Sequence, residues 1–209
     1  MDCWGKGDPT VFFESGGGSI DEFTTAPVVR RIATEKRVCL YNRAGRAPSD
    51  PAPNRPREAE DVAADFHALT EAAGIEPPFV LFGRSFGGMV VTFYASKYSQ
   101  DVLGVVVFDS PAPSASMTQK QFPEGIWNYP ENVEHLNTLT GFENRFGLTP
   151  VHFDARLIVI SPSAGESNPG DQSYWLNTTS RASQVVLQGG MEVINSEADR
   201  IAEEILSLA

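Results

Sequence analysis

Short runs of β-branched and aromatic residues alternate with longer amphipathic stretches along most of the chain. Thr10-Val11-Phe12-Phe13-Glu14 reads as a strand, closed by Ser15-Gly16-Gly17-Gly18. Ala26 to Glu35 predicts a short helix, and Arg37-Val38-Cys39-Leu40-Tyr41 the next strand. After a loop carrying Pro48, Pro51, Pro53 and Pro56, a helix is expected from about Glu58 to Ala73. Its apolar positions Val62, Phe66, Leu69 and Ala73 recur at helical spacing, and Gly74 follows as a stop signal. Phe79-Val80-Leu81-Phe82 reads as a buried strand, followed by a helix from about Phe86 to Tyr98. Val102 to Phe108 is a continuous apolar run, as expected of a strand covered on both faces.

From Ser110 to Phe153 this rhythm breaks. Five prolines interrupt the stretch and Phe122, Trp127, Tyr129, Phe142 and Phe146 are scattered through it, which predicts a lid or insertion over residues 111–153. Its aromatics read more readily as the insertion's own small core than as the lining of an acyl pocket. The alternation resumes with Leu157-Ile158-Val159-Ile160, a helix near Tyr174, Val185-Val186-Leu187 and a last helix from about Glu197 to Leu208. Strands alternating with helices imply right-handed crossovers. The expected class is α/β: a mostly parallel twisted sheet with helices on both faces, in one domain over residues 1–209.

Composition narrows the partners. The 209 residues carry 27 acidic and 16 basic side chains, a formal charge of −11. That sign repels phosphate backbones and anionic lipid, so a general nucleic-acid or membrane-surface role is not expected. The run Val102 to Phe108 is far shorter than the ~20 apolar residues that span a bilayer. Met1-Asp2-Cys3-Trp4-Gly5-Lys6-Gly7 has no signal-peptide pattern. The two cysteines and three histidines are dispersed without metal-ligand spacing, and neither G-x-G-x-x-G nor G-K-[ST] occurs, so neither metal nor cofactor is expected.

The chain contains one G-x-S-x-G, Gly83-Arg84-Ser85-Phe86-Gly87, extended by Gly88. It directly follows a hydrophobic strand and opens a helix, the strand–turn–helix setting that a nucleophile elbow requires. There the serine takes strained backbone angles, and small residues on either side avoid clashes. A plain glycine-rich βα turn is the competing reading.

With these pieces the chain resembles the α/β-hydrolases, and among them esterase- or lipase-like members of actinobacterial type. Gly16-Gly17-Gly18 stand where the family's oxyanion loop follows an early strand. Cys39-Leu40-Tyr41-Asn42-Arg43-Ala44-Gly45 is similar to the family's tyrosine–aspartate–arginine–x–glycine segment, with Asn42 in place of the aspartate. The resemblance implies an acyl-enzyme mechanism on a small-molecule ester, lactone or related acyl substrate. Ser85 would be the nucleophile, with the N–H groups of Gly17 and Phe86 as oxyanion donors. It also implies that the family's usual first strand is absent. The strand of Cys3 would lie beside that of Cys39, close enough for a disulfide, which would favour an exported setting; two buried free thiols are the alternative.

The family's triad order is serine, acid, histidine. Asp109, after the strand that follows the elbow helix, ranks first as the acid. Glu166 and Asp171, beyond the next strand, compete with it, and each also reads as a helix N-cap or solvated loop carboxylate. The family's histidine would fall in Gly189-Gly190-Met191-Glu192, where Met191 stands instead. A thioether cannot act as a general base. His67, His135 and His152 do not obviously replace it, although a folded-over insertion would be one way to bring His135 near. Arg84 stands where the elbow usually has histidine and puts a cation beside the nucleophile. Three readings stay open: a hydrolase with an engineered histidine-to-methionine change, a ligand-binding pseudoenzyme, or an active enzyme with a displaced base.

Overall fold

The computed structural model describes residues 1–17, 20–112, 132–136, 151–165 and 169–209. Seven strands form one sheet: β1 (Asp2–Trp4), β2 (Val11–Glu14), β3 (Val38–Leu40), β4 (Phe79–Arg84), β5 (Val102–Phe108), β6 (Arg156–Pro162) and β7 (Ala182–Leu187). Their order is β1-β3-β2-β4-β5-β6-β7. All neighbours are parallel except the edge pair β1–β3. The α/β expectation holds. The predicted insertion 111–153 lies mostly outside the described residues.

Alternation along the strands builds two cores. Phe12, Leu81, Val105, Val107 and Val159 face one side, where α3 (Ala59–Ala72) and α4 (Phe86–Lys97) cover them. Phe13, Val80, Phe82, Val106, Phe108 and Ile160 face the other, beneath α2 (Pro27–Ile32) and α7 (Ala198–Leu206). A parallel sheet covered on both faces needs apolar residues at both parities, which is why these strands read as unbroken apolar runs.

The remaining short helices are α1 (Asp21–Thr24), α5 (Pro169–Gln172) and α6 (Val193–Ser196). The helix expected near Tyr174 is α5 running into a 3-10 turn at Ser173–Asn177. In α3 the buried stripe is Ala59, Val62, Ala63, Phe66 and Thr70; Leu69 is only partly buried and Ala73 is exposed. The stripe follows i+3 and i+4 steps from Ala59 and drifts off the 69/73 line.

Cys3 and Cys39 pair directly across β1 and β3 and are joined by a disulfide. The strand order also creates a switch point. From β2 the chain leaves toward β3 by way of α2, on one face. From β4 it leaves toward β5 by way of α4, on the other. Loops leaving adjacent strand ends in opposite directions open a crevice between the carboxyl ends of β2 and β4.

Candidate active site

Ser85 stands in that crevice. It directly follows β4, N-caps α4 and holds φ 49° and ψ −122°, outside the regions ordinary L-residues occupy. Its N–H donates to the Phe108 carbonyl at 3.0 Å, and its own carbonyl accepts from Gly88 N–H at 2.9 Å. A Cβ on Gly83 would collide with the Gly87 carbonyl, and one on Gly87 would lie 2.5 Å from the Ser15 carbonyl oxygen. The motif's glycines are therefore demanded by backbone packing around the serine. Gly16, just after β2, approaches so closely that a Cβ there would lie 3.2 Å from Ser85 Cβ, whereas a Cβ on Gly17 would meet none of the described residues within 4 Å.

Asp109 follows β5 at the same sheet edge, with φ 46° and complete burial. Gln172 Nε2 donates to its Oδ1 at 3.2 Å. Behind Gln172, Ser161 Oγ donates to Gln172 Oε1 at 2.9 Å, and Gln184 Nε2 donates to Ser161 Oγ at 2.8 Å. The backbone of Gly165 lies against the carboxylate. Of the competing acids, Asp171 is exposed in the first turn of α5, and Glu166 lies outside the described residues. The Gln172–Ser161–Gln184 chain carried no motif by which the sequence alone could find it.

Met191 lies in the turn between β7 and α6, half-buried and packed against the α2–α7 core. Its loop is stitched to the one after β6, where Ala164 N–H donates to the Gly189 carbonyl at 2.9 Å. The adjacency thus runs from Ser85 through Asp109 and Gly165 to Met191, all at the carboxyl ends of neighbouring parallel strands.

The histidines have other surroundings. His67 stacks on Tyr98 at 4.2 Å, with Nδ1 3.3 Å from Asp101 Oδ2. Asp101 precedes β5, so this cluster occupies the sheet edge opposite Ser85. His152 is exposed ahead of β6, toward that same edge. His135 Nδ1 lies 2.8 Å from the Pro53 carbonyl in the proline-rich loop.

A family model of the alpha/beta hydrolase fold matches residues 8–182. The chain belongs to the α/β-hydrolase family. A probable transporter, efuK, from Hormonema carpetanum is 32% identical over 144 residues, which make up 66% of this chain and 20% of that protein. The chain spans less than half the length of the curated relatives it matches. Among solved structures, Paleococcus ferrophilus monoacylglycerol lipase superposes with a TM-score of 0.75 at 13% identity, covering 100% of this chain and 98% of that one. A thermophilic esterase from Thermogutta terrifontis gives 0.74 at 19% identity, covering 99% and 90%. At these identities the likeness is one of fold.

Beside the elbow this α/β-hydrolase buries a charged cluster. The Arg43 guanidinium bonds Glu14 and takes both oxygens of Glu134, with Nε 2.6 Å from Oε2 and Nη2 2.9 Å from Oε1. The Tyr41 hydroxyl donates to Glu14, and Arg46 bonds Glu134. Burial raises the Glu14 carboxyl above its ordinary value, outweighing Arg43 and the Tyr41 hydroxyl. Burial acts the same way on Glu134, but there the charges and hydrogen bonds of Arg43 and Arg46 win and hold it low. Arg84, the cation expected beside the nucleophile, pairs with Glu22 of α1. A cavity of about 500 Å³ opens between the proline-rich loop and α3, lined by Tyr41, Pro48, Pro53, Val62 and Leu69; Ser85 is not among its lining residues.

Proposed function

We propose that the chain is a serine hydrolase of carboxylic esters, lactones or related small acyl compounds, and that Met191 impairs it. The observation that carries this reading is Ser85 in strained backbone angles at the start of α4, beside Gly16. Ser85 Oγ attacks the acyl carbonyl, and the N–H groups of Gly17 and Phe86 stabilise the oxyanion. Collapse of the tetrahedral intermediate expels the alcohol and leaves an acyl-Ser85, which water hydrolyses. Asp109 is the triad acid. Met191 occupies the base's position and cannot take the serine proton, so turnover falls by about 10⁴–10⁶ while roughly 10³–10⁴ over water survives. The names of the lipase and the esterase of the same fold agree with an acyl substrate.

The test is Met191→His assayed on short p-nitrophenyl esters. A gain of several orders of magnitude supports an otherwise complete site, and no gain sinks it. Labelling by a fluorophosphonate, abolished in Ser85→Ala, checks the nucleophile separately. The second reading, a ligand-binding protein without turnover, draws on the packing of Met191 against the α2–α7 core as a hydrophobe. It prevails if Met191→His changes nothing and a small molecule binds unchanged. The Cys3–Cys39 disulfide is compatible with export.

A further inference from the structure

Three consecutive carbonyls of the loop after β2 are held by guanidinium groups. Arg43 Nη1 donates to the Ser15 carbonyl at 2.8 Å, Arg43 Nη2 donates to the Gly16 carbonyl at 2.8 Å, and Arg46 Nη2 bonds the Gly17 carbonyl. With Glu14 and the two oxygens of Glu134, Arg43 has one acceptor for each of its five N–H bonds. Its carbon also lies 5.4 Å from the centre of the Phe86 ring, directly after the nucleophile.

In a trans peptide the C=O and the following N–H point in opposite directions. Drawing the Gly16 carbonyl onto Arg43 therefore turns the Gly17 N–H away from the guanidinium, and the bond polarises that N–H as a donor. Glu134 comes from the 132–136 segment, far along the chain, and bridges Arg43 to Arg46. Two carboxylates and two guanidinium groups make the cluster neutral. Removing the Glu134 charge leaves an excess cation where burial is almost complete for Arg43 and Glu14.

We propose that Arg43 is a positioning residue that sets the direction of the Gly17 N–H, and that Glu134 makes this setting depend on the 132–136 segment. The catalytic consequence rests on the proposed roles of Ser85 and Gly17; the orientation of the loop does not. Lysine cannot replace Arg43, because an ammonium has three donors and no planar fork. Glutamine at 134 keeps the shape but loses the charge and one acceptor oxygen.

The experiment compares the full chain with Arg43→Lys and Glu134→Gln by amide hydrogen exchange and by the kinetics of fluorophosphonate labelling. Exchange in peptides covering residues 12–17 should rise about tenfold or more in Arg43→Lys and several-fold in Glu134→Gln, while peptides from β4 and β5 stay unchanged. The maximal labelling rate should fall by up to about 100-fold, the scale of a misplacement and short of the ~10²–10³ lost when an oxyanion donor is removed outright, with the half-saturating probe concentration within about twofold. Unchanged exchange in residues 12–17 in a folded Arg43→Lys protein overturns the proposal. If that variant does not fold, Glu134→Gln decides by the same criterion. If neither the unaltered protein nor Met191→His is labelled at all, the acyl-enzyme reading falls, and the exchange result still decides whether Arg43 sets the loop.

Discussion

The hydroxyl of Ser110 donates a 2.9 Å hydrogen bond to the carbonyl oxygen of Ser85. It links the segment just after β5 to the strained residue just after β4, while the Ser110 carbonyl accepts from Trp175 Nε1 at 3.1 Å. The elbow is therefore braced from the neighbouring strand as well as by its own helix.

Ser110→Ala should cost about 0.5–1.5 kcal/mol, the usual net worth of such a bond. Ser110→Val should cost more, because Gly88 lies so near that a Cβ on it would be 2.5 Å from Ser110 Cβ. Urea midpoints at constant slope measure both. Equal stability of the two variants would contradict the close packing.

Gly165 separates the Asp109 carboxylate from the next loop with no spare room. A Cβ there would lie 2.6 Å from Oδ1 and 2.7 Å from Oδ2. Gly165→Ala should destabilise by about 1–3 kcal/mol, the scale of overpacking. Gly17→Ala, whose Cβ meets none of the described residues within 4 Å, is the control, with an effect of about 0.5 kcal/mol or less. Thermal unfolding of the pair reads the difference.

The two carboxylates on Arg43 impose opposite pH dependences. Glu134 is held below its ordinary 4.5, so it contributes stability that is present above pH 4.5 and lost as pH falls through its folded value. Glu14 is raised above 4.5, so its contribution is full below pH 4.5 and lost as pH rises through its folded value. Relative to the unaltered protein, Glu134→Gln should therefore lose more stability above pH 4.5 than below. Glu14→Gln should lose more below than above. Denaturation curves from pH 3 to pH 7 give the sign of each slope, and a shared sign would contradict the assignment.

The Cys3–Cys39 bond closes a loop with a sequence separation of 36 and ties down an exposed edge strand. Full reduction should lower stability by about 2–4 kcal/mol. Cys3→Ser should show a similar loss and no further response to reductant. Unfolding midpoints with and without reductant, with thiol labelling to verify the redox state, test this.

Apart from the exposed edge strand β1, which only the family resemblance implied, the strands, the main helices and the elbow serine were legible in the chain because each is written within a few consecutive residues. Apolar runs give the strands of a sheet covered on both faces, and Gly83, Ser85 and Gly87 meet the steric needs of one turn. The resemblance of the segment around Arg43 to a family pattern drew attention to that residue but not to its partners. Arg43 meets Glu134 across 91 positions, and Asp109 meets Gln172 across 63. The stripe of α3 was misplaced at its last turn for a related reason: local spacing admits both the 69/73 and the 66/70 line, and packing against the sheet selects one. Local sequence determined which residues form strands and helices and where a strained serine had to stand. Only the tertiary structure decided which carboxylates, amides and guanidinium groups share its surroundings, because a buried charge is stabilised by whatever the fold brings within hydrogen-bonding distance, however far away in the chain.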